Sequence, residues 1–98
     1  MSKRSDLLNK AIEIVDGERR NHYGVPEDVF TKISHLWSDY LNAELTPVDV
    51  ANMMMLLKIA RSQSNPGYQD NYIDIAGYAA CAGEIAAGVY DGLSDKKI

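Results

Sequence analysis

The sequence contains a single cysteine, Cys81, among 98 residues. That excludes an internal disulfide and any cysteine-cluster zinc site, and it fits a reducing cytoplasm. Basic residues are outnumbered, ten against fourteen acids, for a net charge of −4. A nucleic-acid binder usually carries a basic face, so this balance argues against one. Long hydrophobic runs are missing. The most apolar window, Ile73 to Val89, is interrupted by Asp74 and Glu84. It is shorter than the ~20 residues a membrane span needs, and it reads as a buried helix. The opening residues, MSKRSDLLNKAIEIVD, lack the continuous apolar centre and cleavage site of a signal peptide. No internal repeat, strand-like alternation, glycine-rich phosphate loop, Ser-His-Asp arrangement or nucleophile elbow stands out. His22 and His35 have no metal-ligand spacing to each other.

What remains is an ordinary globular composition, 46% hydrophobic and 24% charged, and enough chain for one domain, residues 1–98. Apolar spacing predicts four helices and an all-α fold. The first covers Ser5 to Asn21, weakened by Gly17, and the segment HYGVPED follows as a turn. The second runs from Pro26 to Leu41, with Val29, Phe30, Ile33, Leu36, Trp37 and Tyr40 as its apolar face. Thr46 then looks like an N-cap, with Pro47 at the first helical position and Asp49 as the far arm of a short capping box. The third helix, PVDVANMMMLLKIARSQ, has an unbroken apolar middle and should be the most buried. SNPG stops it, and a fourth helix rich in alanine and glycine runs from Tyr68 to Gly92, followed by a frayed tail.

Several polar residues interrupt these patterns. Asp49, Asn52, Met53, Leu56 and Ala60 share one face of the third helix, and Asp70, Asn71, Asp74, Tyr78 and Cys81 lie on or near one face of the fourth. Asp70 and Asp74 are like charges one turn apart, which repel on a helix by a few tenths of a kcal/mol. Either water screens them or something cationic lies between them. If the two faces pack together, three carboxylates and two amides form a hard-oxygen cluster suited to Mg²⁺. The plainer alternative makes Asp49 and Asp70 helix caps and Asn52 and Asn71 partners of loop backbone. It accounts less well for Asp74, one turn inside the helix between Ile73 and Ile75. Lys58 and Arg61 suit either phosphate binding or the negative end of the helix dipole.

These residues resemble the all-α nucleotide pyrophosphohydrolases of the MazG-like superfamily, whose signature is E-x-x-E, a spacer, then E-x-x-D. Asp49-x-x-Asn52 and Asn71-x-x-Asp74 fall at the two pairs, with Asp70 adjacent. More closely, HYGVPEDVF…LW, DVANMMMLLKIAR and DNYIDIAGYAA are similar to a group of small phage-type proteins usually placed near MazG, from about Arg19 to Glu84. The resemblance implies a four-helix bundle completed as a homodimer or higher homo-oligomer, in the cytoplasm, of the host if phage-encoded. It implies hydrolysis of a nucleoside triphosphate to the monophosphate and pyrophosphate. Mg²⁺, or Mn²⁺, would be held by Asp49, Asp70 and Asp74, which would also serve as the catalytic acids. Lys58, Arg61, Asn52 and Asn71 would contact the substrate. Two of the four signature acids are asparagines here, so a non-catalytic helical interaction or nucleotide-binding module of phage origin is the alternative expectation.

Overall fold

The computed structural model describes residues 2–17 and 26–89. They form four α-helices, α1 (Lys3–Asp16), α2 (Pro26–Leu41), α3 (Pro47–Ser64) and α4 (Gln69–Val89), and no strand. The expected all-α class is therefore observed. The HYGV segment, residues 18–21 of the expected first helix, and the chain beyond Val89 lie outside the described residues.

Each helix end has a local cause. α1 starts two residues before the expected point because the Ser2 hydroxyl caps it, accepting the Ser5 N–H at 3.1 Å. It stops at Gly17, where a Cβ would collide with the Glu13 carbonyl oxygen. α2 begins on Pro26, with Glu27 and Asp28 in its first turn, where negative charge is favoured. It closes on Asn42 at φ 52°, with the Ala43 N–H reaching back to the Ser38 carbonyl at 3.1 Å. That is a Schellman-type ending with asparagine in the left-handed position glycine usually fills. The capping box of α3 is present in full. The Asp49 N–H donates to Thr46 Oγ1 at 3.1 Å, and the Thr46 N–H donates to Asp49 Oδ2 at 2.9 Å.

α4 is the hub, packing on α3, α1 and α2. Its small residues allow the close approach. A Cβ on Gly77 would lie 3.3 Å from a Val15 methyl of α1. The core comprises Phe30, Val50, Ala51, Ala82 and Ile85, with Trp37, Met54, Met55, Tyr78 and Cys81 packed around it. The Phe30 and Tyr78 rings lie 6.2 Å apart between centroids.

The expected burial of α3 holds on one side alone. Val50 and Ala51 are completely buried, while Met53, Leu56, Leu57 and Ile59 are exposed. The apolar face expected for α2 likewise divides. Phe30 is buried and Ile33 and Trp37 partly so, but Leu36 is 67% and Tyr40 89% exposed.

Candidate functional site

The connection from α3 to α4 is short. The Tyr68 N–H donates to the Asn65 carbonyl, the Asn71 N–H to the Tyr68 carbonyl, and the Tyr72 hydroxyl to the Pro66 carbonyl at 2.7 Å. A turn this tight sends α4 back antiparallel along α3. The early turns of α4 therefore lie beside the late turns of α3.

Asp74, one turn after Asp70 on α4, faces Lys58 accordingly. Lys58 Nζ lies 2.8 Å from Asp74 Oδ2, with the two side chains 15% and 11% exposed. The cation beside the Asp70–Asp74 pair is thus an ammonium of the same chain. Asp70 is engaged from the other side, its Oδ2 accepting the Tyr68 hydroxyl at 3.0 Å. The bond and the charge of Asp70 push the Tyr68 phenol above its ordinary range, Asp74 adds to this, and Lys58 opposes it. Asn71 sits between, at i+1 from Asp70 and i−3 from Asp74, and is 4% exposed. Its side chain makes no hydrogen bond among the described residues. No fully buried side-chain nitrogen or oxygen there lacks a partner. The Asn71 amide therefore keeps a thread of contact with solvent. Arg61 lies one turn past Lys58, in the last turn of α3 and exposed.

The other expected site residues are elsewhere. Asp49 and Asn52 share their face with Met53, Leu56 and Ala60, as their spacing requires. Asn52, Met53, Leu56 and Ala60 are exposed, so the face they define points away from the core that α3 forms with α4. Asp49 also stands nine residues before Lys58 on α3, about 13 Å along the axis. Its carboxylate is occupied by the Thr46 N–H. The two polar pairs were expected to converge because each lies early in its helix. Antiparallel packing puts those starts at opposite ends. Among the described residues, no three His, Cys, Asp or Glu side chains gather into a group able to hold a metal. The structure thus joins Lys58 to Asp74, with Asp70 and Asn71 one turn earlier on α4, and leaves Asp49 and Asn52 apart. Tyr68 was missed by the sequence reading, and its signal was a hydroxyl two residues from the first acid.

At the far end of the hairpin, Cys81 is half-buried on α4. Burial first, then the charges of Glu84, Glu27 and Asp16, push its thiol up. Glu27 thus lies close enough to bear on Cys81.

The profile of DUF6378, a domain of unknown function, matches residues 6–86. The chain belongs to the DUF6378 family. Its relatives include the Gene 55 protein of Mycobacterium phage D29, 42% identical over 79 residues, covering 81% of this chain and 52% of the relative. The Gene 55 protein of Mycobacterium phage L5 is 47% identical over 74 residues, covering 74% and 47% respectively. The chain spans about half the length of the curated relatives it matches. No solved structure matches it significantly. The resemblance to small phage proteins is thereby supported. No helix among the described residues is long and apolar enough to cross a membrane.

Proposed function

We propose that this DUF6378 protein binds the phosphates of a nucleotide at the turn end of the α3–α4 hairpin. The observation that carries this is Asn71, an amide almost wholly buried and without a side-chain partner among the described residues. It stands one turn before Asp74, which holds the Lys58 ammonium. The amide keeps a thread of contact with solvent, and a ligand oxygen can take the place of water there. Lys58 and Arg61 are the cations on the same end of α3. The guanidinium suits bidentate phosphate contact, and the ammonium acts as a point charge. The phage relatives are in keeping with a role in the cytoplasm of a host cell.

Mg²⁺-dependent pyrophosphohydrolysis in the MazG-like manner is the second function we propose. Asp70 and Asp74, on successive turns, favour it. Within one chain the donors do not fit the four-residue set of that signature, because Asp49 and Asn52 are at the other end of the hairpin and Lys58 occupies the flank of Asp74. We derive no metal-bound step.

A pyrophosphate-release screen over the common NTPs and dNTPs with Mg²⁺ and Mn²⁺, run beside thermal melts, separates the cases. Binding without pyrophosphate release is the expected result. The melting temperature rises with nucleotide, and Asn71→Leu and Arg61→Ala each remove most of that rise while leaving the helical circular dichroism intact. Release of pyrophosphate establishes the hydrolase. No shift with any nucleotide, with or without metal, eliminates both and leaves a helical interaction module.

A further inference from the structure

Tyr68 is a large aromatic side chain left open at the turn between α3 and α4, 53% exposed. It is nevertheless held in place. Its N–H donates to the Asn65 carbonyl at 3.1 Å, its carbonyl accepts the Asn71 N–H at 3.3 Å, and its hydroxyl donates to Asp70 Oδ2 at 3.0 Å. The backbone is fixed on either side of the ring, and the ring is fixed at its tip. Other aromatic side chains are engaged differently. Tyr72 is half-buried with its hydroxyl on the Pro66 carbonyl, and Tyr78 packs against Phe30. Tyr40 is exposed in the last turn of α2, and among the described residues no hydrogen bond holds its hydroxyl.

The Tyr68 ring also stands beside the candidate site. It precedes Asn71 by three residues and Asp74 by six, about 5 and 9 Å along the axis of α4. The charges of Asp74 and Lys58 both bear on its phenol. A tethered ring has already lost much of the freedom that stacking would cost it. Every nucleobase has a face that can stack on an aromatic side chain, for a gain of roughly five- to hundredfold in affinity.

We infer that the base of the bound nucleotide stacks on Tyr68, which gives the site its preference for a nucleotide over a bare polyphosphate. The inference rests on the phosphate-binding reading of Asn71, Lys58 and Arg61. The charges set the direction in which the nucleotide lies. The exposed Asp70 carboxylate repels phosphate, so the phosphates take the side of Asn71 and the cations, and the base takes the side of Asp70 and Tyr68. Asp70 is then a positioning residue, acting through the phenol it tethers. Because the gain follows stacking strength, a purine should bind more tightly than a pyrimidine.

The test is calorimetric titration of the full chain with the α,β-methylene analogues of ATP and UTP, which cannot release pyrophosphate, and with inorganic tripolyphosphate. The wild type should bind the ATP analogue at least about tenfold more tightly than tripolyphosphate, with the UTP analogue between them. Tyr68→Ala should erase the advantage of both analogues and leave tripolyphosphate binding unchanged. Tyr68→Phe loses only the tether and should keep most of the advantage. Because Tyr68 is exposed, both variants should keep the helical circular dichroism. Asn71→Leu should weaken all three probes, which is the mark of the phosphate contact. If Tyr68→Ala keeps the preference for the analogues, or weakens tripolyphosphate as much as it weakens them, stacking on Tyr68 is overturned while the phosphate reading stands. If none of the three probes binds, the phosphate reading fails and this inference falls with it.

Discussion

Lys58 resolves the repulsion between Asp70 and Asp74 that the sequence exposes. Its ammonium, 2.8 Å from Asp74 and mostly buried, provides the positive charge. The sequence contained Lys58 but not its contact, because the contact depends on where the chain turns. A double-mutant cycle with Lys58→Ala and Asp74→Ala, read by urea unfolding, should show a coupling of about 1–2 kcal/mol. Additive losses would mean that the pair contributes no stability. Cys81 offers a second measurement. Its thiol is pushed up by burial and then by Glu84, so iodoacetamide should react slowly at neutral pH and accelerate only above the pH at which an unfolded-chain cysteine does. The sign for stability follows. The neutral thiol is favoured in the folded chain, so its contribution is full below the unfolded pKa and is lost as pH rises through the folded one. Cys81→Ala should therefore flatten part of the alkaline fall in stability. An unchanged alkaline profile, or a thiol as reactive folded as in urea, would contradict this assignment.

The helices were legible where chemistry at a single position decides them. Pro26, Thr46, Pro47 and the SNPG stop each act locally, and the observed ends of α2 and α3 agree with them closely. The capping box can be tested as a unit. Thr46→Ala and Asp49→Ala should each cost about 1 kcal/mol. The double change should cost less than the sum, because either one breaks the same reciprocal pair. Strict additivity would contradict the box. Gly17 was legible as a weak point but not as the end of α1, since the reason is the approach of the Glu13 carbonyl oxygen. Gly17→Ala should destabilise the chain by about 1 kcal/mol or more, contrary to the usual gain from replacing glycine. The candidate site was legible by halves. Asp74 of α4 meets Lys58, a contact the sequence alone does not show. The pair on α3 was placed on the right face of its own helix, but that face points outward. Helical periodicity reports which residues share a face. It carries no information on which neighbour the face meets, and the direction of a hairpin comes from the length of its turn.

At the scale of the whole molecule, one fact ties the core to the outer surface. α3 supplies the two completely buried apolar residues, Val50 and Ala51, and within two turns presents Met53, Leu56 and Leu57 to solvent. The charge-free run between Val50 and Leu57 makes sense if both sides are covered, and the pairing of subunits expected from the sequence would cover the outer one. Folding and assembly would then be linked. A dimer that forms only from folded chains stabilises them by mass action, so the melting temperature should rise with protein concentration. Wild-type melts over a hundredfold concentration range should shift upward steadily, whereas Leu56→Glu melts should stay nearly constant at the level of the most dilute wild-type sample. The comparison also locates the source of stability. If Leu56→Glu lowers the melting temperature equally at every concentration, Leu56 matters to the single chain and the outer stripe is part of its own packing. If the two proteins converge on dilution, the single chain folds alone and the second copy adds to it. Among the described residues the buried centre around Phe30, Val50 and Ile85 is small, and small cores are marginal. Convergence should therefore occur at a melting temperature well below that of the concentrated wild type.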